Sequence, residues 1–431
     1  MNAATIEEPA TSGTPALENA FANVSSNYRG TGDFYAICKQ LRENSPVMRG
    51  NFAASMGVPN NAGLDASHPT VSLFKYKDVM AVMRDPANFT SGFIAEGLGS
   101  FFDGLIIIAM DGEEHKKTRA LLQPVFTPDT ANRWRDRLTE VMRTESLLPM
   151  VPLKKADLMD FGLHFPIRAI YSIMGFPDDQ PEKIKQYATW ALAILAGPQV
   201  GADKQAAARA AAIDAAKALY HAVLEIVQQR RATGDTEGHD LISRLIRSEL
   251  EGRKLDDHEI ATFVRSLLPA AGETTTRTFS SILTLLLERP ALLERVRKDR
   301  SLIAKVIDET VRYEPVATFK VRQAAKDLEI GGLSVAKGSM VQCITAAASR
   351  DPEVFERPDE FDIDRPSKLS FGFGFGAHMC IGQFVAKMEL TVALNAIFDL
   401  FPNLRLDPDY PAPTINGVML RGASAVHVIW D

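Results

Sequence analysis

The sequence predicts a mainly α-helical protein with small β-sheets set to one side. Three observations carry that expectation. Helical periodicity covers most of the 431 residues, strand-like stretches are few and short, and the two do not alternate as a doubly wound parallel sheet requires. Residues 1–30 hold early acids and no apolar stretch, so they read as a flexible tail and not a signal peptide. Residues 31–431 read as one domain, because no linker, repeat or charge block marks a boundary. Strand signals fall at Val71–Tyr76, Leu328–Ile330, Met340–Ile344 and Val426–Trp430. Amphipathic helices are predicted over Lys77–Arg84, Glu113–Leu122, Thr130–Leu147, Ala291–Asp299, Leu302–Tyr313 and Gly382–Leu400. The alanine-rich run from Gln205 continues a three-to-four spacing as far as Val227, as expected of a long helix. Asp257–Glu288 is longer still, and Pro269 and Gly272 predict a local distortion inside it.

Composition narrows the function. With 46% apolar and 24% charged residues the chain has the balance of an ordinary soluble globular protein. Its net charge of −6 has the wrong sign for bulk attraction to nucleic acid. Three cysteines (Cys38, Cys343, Cys380) exclude a disulfide framework and fit a reducing cytoplasm. No apolar run approaches the roughly 18 residues a membrane-spanning helix needs.

The most informative stretch is Phe371–Gly382, FGFGFGAHMCIG. Alternating glycines let backbone approach something large and flat without Cβ clashes. Cys380 then sits at the start of a helix, where free N–H groups and the dipole favour a thiolate. A thiolate presented to a planar metal cofactor uses every one of these features. The dinucleotide pattern G-x-G-x-x-G fails at Ala377 and Met379, and no G-K-[ST] phosphate loop is present. Zinc finds no ligand-rich neighbourhood at Cys38 or Cys343. A nucleophilic cysteine or a merely buried one remains open at this point.

Other pairs stand elsewhere in the chain. Glu309 and Arg312 lie at helical i, i+3 spacing, which alone is an ordinary surface ion pair. Glu273 and Thr274 place a carboxylate beside a hydroxyl in PAAGETTTRT, and a threonine-rich helix end would also account for them. His115 and Arg119 sit one helical turn apart, a spacing that suits a dianionic ligand or a plain solvated face.

FGFGAHMCIG resembles the haem-binding loop of the cytochrome P450 family, F-G-x-G-x-H-x-C-x-G, without departure. The resemblance runs from about residue 70 to the C-terminus with further motifs in family order. It implies a triangular helical prism with haem b between a long central helix and the helix after the cysteine loop. Cys380 would be the axial metal ligand, with Phe373, Gly374 and Gly382 shaping the loop around it. His115, Arg119, Arg322 and His378 would take the two propionates. Glu309, Arg312 and Arg365 would form a structural network behind the loop. Ala270 and Ala271 would face the cofactor, with Ala271 standing where the family has glycine and Gly272 shifted to the variable place. Thr274 and Glu273 would be the catalytic alcohol and acid that deliver protons during oxygen activation.

The same resemblance implies a cytochrome P450 monooxygenase that hydroxylates or epoxidises a small molecule. Its electrons would come from a separate [2Fe-2S] ferredoxin and an NAD(P)H ferredoxin reductase. Lys116 and Lys117 are candidate docking charges, with a solvated face the simpler reading. The pocket expected by analogy draws on Phe93, Ile94, Leu98, Phe101, Phe102, Trp190 to Leu195 and the following loop, Val316, Thr318, Phe319 and Met419. These residues are mostly apolar, with no acid or base aimed inward. They therefore favour an uncharged hydrophobic substrate such as a terpenoid, steroid or aromatic, although core packing explains many of them equally well. A monomer without membrane or nucleic-acid partners is expected. The alternatives are a peroxide-dependent relative, a non-catalytic haem carrier, and a non-haem protein using Cys380 as a nucleophile.

Overall fold

A computed structural model describes residues 16–27, 29–30, 32–58, 68–103, 105–196 and 205–431. Its longest helix, α6 (Asp257–Leu287), is the axis on which the other elements are placed. A reciprocal cap starts it: the Asp256 carboxylate accepts from the Glu259 amide at 2.8 Å, and the Glu259 carboxylate accepts from the Asp256 amide at 3.0 Å. From Ile260 to Leu287 every residue is buried except Ala270, Ala271 and Thr274. A helix this apolar all round must run through a protein interior. It is packed by α3 (Leu158–Met174), α4 (Pro181–Ala196) and α5 (Gln205–Thr233), so that these helices share one apolar core. The distortion expected at Pro269 and Gly272 does not interrupt it; α6 is continuous through both. Gly272 serves packing instead, since a Cβ there would lie 2.9 Å from Ile167 of α3.

The sequence expectation of a loose N-terminal tail is corrected for residues 16–27. They form helix α1 (Ala16–Asn27), and Leu17, Phe21 and Val24 repeat at the i, i+4, i+7 spacing of a buried stripe. That stripe docks on α4, and Glu18 meets His164 of α3 at 2.9 Å. Residues 1–15 lie outside the described residues.

The sheets are small. A five-stranded mixed sheet joins β1 (Val47–Arg49), β2 (Thr70–Leu73), β3 (Phe89–Thr90), β4 (Lys320–Ala324) and β5 (Met340–Cys343) in the order β1-β2-β5-β4-β3. Only the β2–β5 pair is parallel. In the β4–β5 ladder Lys320 stands opposite Cys343 and Arg322 opposite Val341. A three-stranded sheet of Arg405–Leu406, His427–Ile429 and Lys155–Asp157 ties the C-terminal strand to the start of α3. Two short hairpins, Glu249–Leu250 with Arg253–Lys254 and Leu328–Ile330 with Leu333–Val335, complete the described strands.

Candidate functional site

The site is assembled from five segments: the cysteine loop, the helix α2 (Gly112–Leu122), strand β4, the middle of α6, and the helix α7 (Ile303–Tyr313) behind the loop. In the loop, Gly374 (φ 75°) and Gly376 (φ 73°) adopt the left-handed conformation that residues with a Cβ resist. A Cβ at Gly376 would also strike the Met83 carbonyl at 2.5 Å. The turn is closed by the Cys380 amide donating to the Phe373 carbonyl at 2.8 Å. Gly382 then opens the helix α8 (Gln383–Leu400), which has no side-chain cap at its start. The Gly382 and Gln383 amides turn to the Cys380 sulfur instead, so the thiol takes the place of a capping oxygen.

The sequence suggested that this helix start favours a thiolate. In the protein alone burial dominates and pushes the Cys380 thiol up, against the pull of the two amides and of Lys320 and Arg119. Cys380 is nevertheless solvent-accessible, unlike Cys38 and Cys343. A thiol that is walled by protein and yet reachable lines a recess.

A cationic rim surrounds this recess. His115 and His378 stack with ring centroids 4.3 Å apart. His378 lies 3.4 Å from the Ser91 hydroxyl and 3.6 Å from Asp111, whose other oxygen accepts from the Ser91 and Gly92 amides. His115 is buried, and its Nε2 has no hydrogen-bond partner. Burial, then the neighbouring His378 and Arg119 charges, lower its pKa to about 4. Arg119 donates to the Ala377 and Met379 carbonyls on either side of His378, at 3.2 and 2.9 Å. Arg322 is buried, donates to the Val321 carbonyl at 2.8 Å, and forms no ion pair among the described residues.

The segment behind the loop is the opposite case, with every charge answered. Glu309 accepts from Arg312 at 2.7 and 2.8 Å, from the Asp362 amide at 3.0 Å and from Arg365 at 3.4 Å. Arg312 also donates to the Ser349, Pro358 and Glu360 carbonyls, and Arg365 to those of Glu356, Arg357 and Glu360. The three residues predicted as one network are brought together.

On α6, Ala270 is exposed and Ala271 and Thr274 are half-buried, while Glu273 points away from them into the core. The Thr274 hydroxyl donates to the Ala270 carbonyl at 3.1 Å. Glu273 was expected to join Thr274 in delivering protons to the site. It instead accepts two bonds from Arg277, at 2.6 and 3.0 Å, in a pair whose side chains are 1% and 5% exposed. Arg277 reaches on to the Ser25 hydroxyl of α1 at 2.8 Å and lies over the Phe21 ring. Nothing in the local sequence marks this link, because Ser25 lies 252 residues from Arg277.

The expected pocket residues divide. Phe93, Ile94, Leu98, Leu195, Val316 and Met419 are half-buried and can line a cavity. Phe101 and Phe102 are core residues beneath Arg209 and Arg265. The Thr318 hydroxyl is spent on the Val418 carbonyl, and Phe319 packs against the Phe34–Phe52 cluster near the N-terminus. The loop after Leu195 lies outside the described residues from 197 to 204. Lys116 and Lys117 are exposed and paired with Glu113 and Glu251. The recess also holds a base that the sequence reading missed. Lys320 is half-buried, and its charge acts directly on Cys380.

These features fit a planar, dianionic metal cofactor. An accessible thiol supplies a soft ligand, and left-handed glycines flatten the loop beside it. Small residues on α6 leave the facing side open, with an alanine, an alanine and a threonine where neighbouring positions are filled. The buried Arg322 and the unpartnered Nε2 of His115 are the donors that two carboxylates would satisfy.

Comparison with known proteins agrees with the geometry. The family model described as Cytochrome P450 matches residues 202–421. Pulcherriminic acid synthase of Bacillus subtilis (strain 168) is 30% identical over 92% of this chain and 95% of its own length. Erythromycin C-12 hydroxylase of Saccharopolyspora erythraea is 32% identical over 78% of this chain and 83% of its own. The solved structure of the versatile cytochrome P450 enzyme CYP109B1 from Bacillus subtilis superposes with a TM-score of 0.77 at 27% identity, covering 92% of this chain and 100% of that one.

Proposed function

This chain belongs to the cytochrome P450 family and is a haem-thiolate monooxygenase, and from that premise we propose how its own residues carry the reaction. In this family haem b, held by a cysteine thiolate, supplies the oxygen-activating chemistry. Here Cys380 is assigned as that ligand, with the Gly382 and Gln383 amides steadying its charge. Arg119, Arg322, His115 and His378 orient the propionates. Glu309, Arg312 and Arg365 hold the loop rigid from behind.

The net reaction takes a C–H bond or alkene, dioxygen, two electrons and two protons, and gives the hydroxylated or epoxidised product and water. The chain's task is to bring those protons in one at a time. Thr274 is on the open face of α6, and its hydroxyl can leave the Ala270 carbonyl to donate toward the recess. Glu273 is the adjoining acid. Because Arg277 holds one of its oxygens, proton passage uses the other, Oε2, which has no partner. The electrons come from a separate ferredoxin and its reductase. The substrate is a small molecule that presents an apolar body to the lining of Ile94, Leu98, Val316 and Met419.

The observation that carries this reading is the accessible Cys380 thiol beside Arg119 and Arg322, which form no ion pair among the described residues. It is tested by turnover of the purified holoprotein with NAD(P)H, reductase and ferredoxin, run against hydrogen peroxide alone. Product with the electron-transfer partners, and little with peroxide, is the expected result. The buried Glu273–Arg277 pair favours a second reading, a peroxide-driven enzyme, in which no acid relay to solvent is needed. Peroxide-only turnover would select it.

A further inference from the structure

Lys320 carries an inference about the substrate. It is the first residue of β4, and side chains two apart on a strand share a face, so Lys320 and Arg322 point the same way. Phe319 and Val321 take the other face, and Phe319 accordingly joins the N-terminal apolar cluster. Lys320 is half-buried, and its side-chain amine makes no hydrogen bond or ion pair among the described residues. The face it shares with Arg322 is the one that carries the cationic rim, so the amine stands on the same side of the strand as that rim.

The acids that could answer it are committed elsewhere. Asp111 is held by Ser91, Gly92 and His378, and Glu273 by Arg277. Glu314 is taken by Arg350 and Arg421. A half-buried amine with no ion-pair partner among the described residues carries a desolvation cost that a bound anion would offset. The cofactor's two carboxylates already have Arg119, Arg322, His115 and His378. Lys320 is therefore a surplus cation on the strand face it shares with Arg322.

We propose that Lys320 anchors a carboxylate of the substrate, so that the enzyme takes an apolar acid, holding its charged end at β4 and its hydrocarbon against α6. This rests on the haem-thiolate reading and refines its substrate class from the wholly uncharged molecule expected from sequence. A site built around an amine discriminates strongly, because a neutral analogue leaves the buried nitrogen unpaired.

The test titrates purified holoprotein with dodecanoate and 4-butylbenzoate, each beside its methyl ester, reading the Soret shift and the heat of binding. At least one acid is expected to bind about tenfold or more tightly than its ester. Lys320→Met should abolish that preference and Lys320→Arg should keep it. Equal binding of acid and ester by the wild type, or no binding of either acid, overturns the proposal. So does a preference that survives in Lys320→Met. Loss of haem from Lys320→Met with the preference intact would place Lys320 on a propionate and also overturn it. The carbon monoxide band of reduced Lys320→Met separates the two levels. A red-shifted band shows that the haem-thiolate reading stands even where the carboxylate anchor fails.

Discussion

The two faces of the cysteine loop are built on opposite principles. Behind it, Glu309 and Arg312 are buried and Arg365 half-buried, with their charges answered by one another and by backbone. In front of it, Arg322 is just as buried yet has no ion pair among the described residues, and His115 keeps an unpartnered nitrogen. A buried charge with full hydrogen bonding belongs to the scaffold, whereas one left open belongs to something that binds. The contrast is the ground for proposing a binding role for Arg322 and a structural one for Arg312 without reference to where they lie in sequence.

Substitutions should separate the faces, and the largest effect is expected behind the loop. Arg312→Leu removes the main counter-charge of buried Glu309, leaving it only Arg365 at 3.4 Å and the Asp362 amide, which costs about 3–5 kcal/mol. Urea denaturation should show a loss of that size, with haem incorporation failing as a consequence. Arg322→Gln is the matching change in front. It removes a buried cation that lacks a partner in the protein alone, so the haem-free protein should be at least as stable as wild type. Haem transfer to apomyoglobin should nevertheless be about tenfold faster or more. If Arg322→Gln unfolds the haem-free protein as Arg312→Leu does, the distinction between the two faces is lost.

A smaller effect is expected on α6. Thr274→Ala should leave haem content and stability unchanged while diverting consumed NAD(P)H from product to hydrogen peroxide, with coupling down roughly tenfold. Unchanged coupling would remove Thr274 from proton delivery.

The smallest effects are on pH dependence, and they differ in sign. His115 in the folded, haem-free protein is neutral above about pH 4, whereas unfolded it takes a proton near its ordinary 6.5. Between those values the unfolded state binds more protons, so acidification destabilises the protein there, and His115→Gln should flatten that slope. Glu389 on α8 is buried with Thr275 as its partner, and burial raises its carboxyl well above the usual range. The folded state then keeps a proton that the unfolded state releases, so stability falls as pH rises above the ordinary carboxylate value of 4.5. Glu389→Gln should raise the melting temperature at pH 8 and change little near pH 4.

The sequence was most legible where a function is written locally. Glu309 and Arg312, His115 and Arg119, and the glycines before Cys380 lie within a turn or a loop of one another, so spacing alone sets their geometry. Helices were legible for the same reason: α2, α6, α7 and α8 begin and end within two residues of the periodicity that predicts them. What escaped is set by contacts distant in sequence. The α1 stripe of Leu17, Phe21 and Val24 is plain only once α4 is there to receive it. Arg277 takes Glu273 out of solvent through a neighbour in α1 that no local pattern announces. At the start of β4 the expectation missed by a single residue. Phe319 looked like a pocket residue because it is apolar, but the strand's alternation turns it to the core and turns Lys320 to the recess.

The most direct test of the two-faced loop is the carbon monoxide difference spectrum of the dithionite-reduced holoprotein, recorded beside Cys380→Ser. The account predicts a strongly red-shifted Soret band in the wild type that is lost in the variant, because the open thiol is the axial ligand. A band at the unshifted position in wild type, or a red-shifted band that survives in Cys380→Ser, would contradict it.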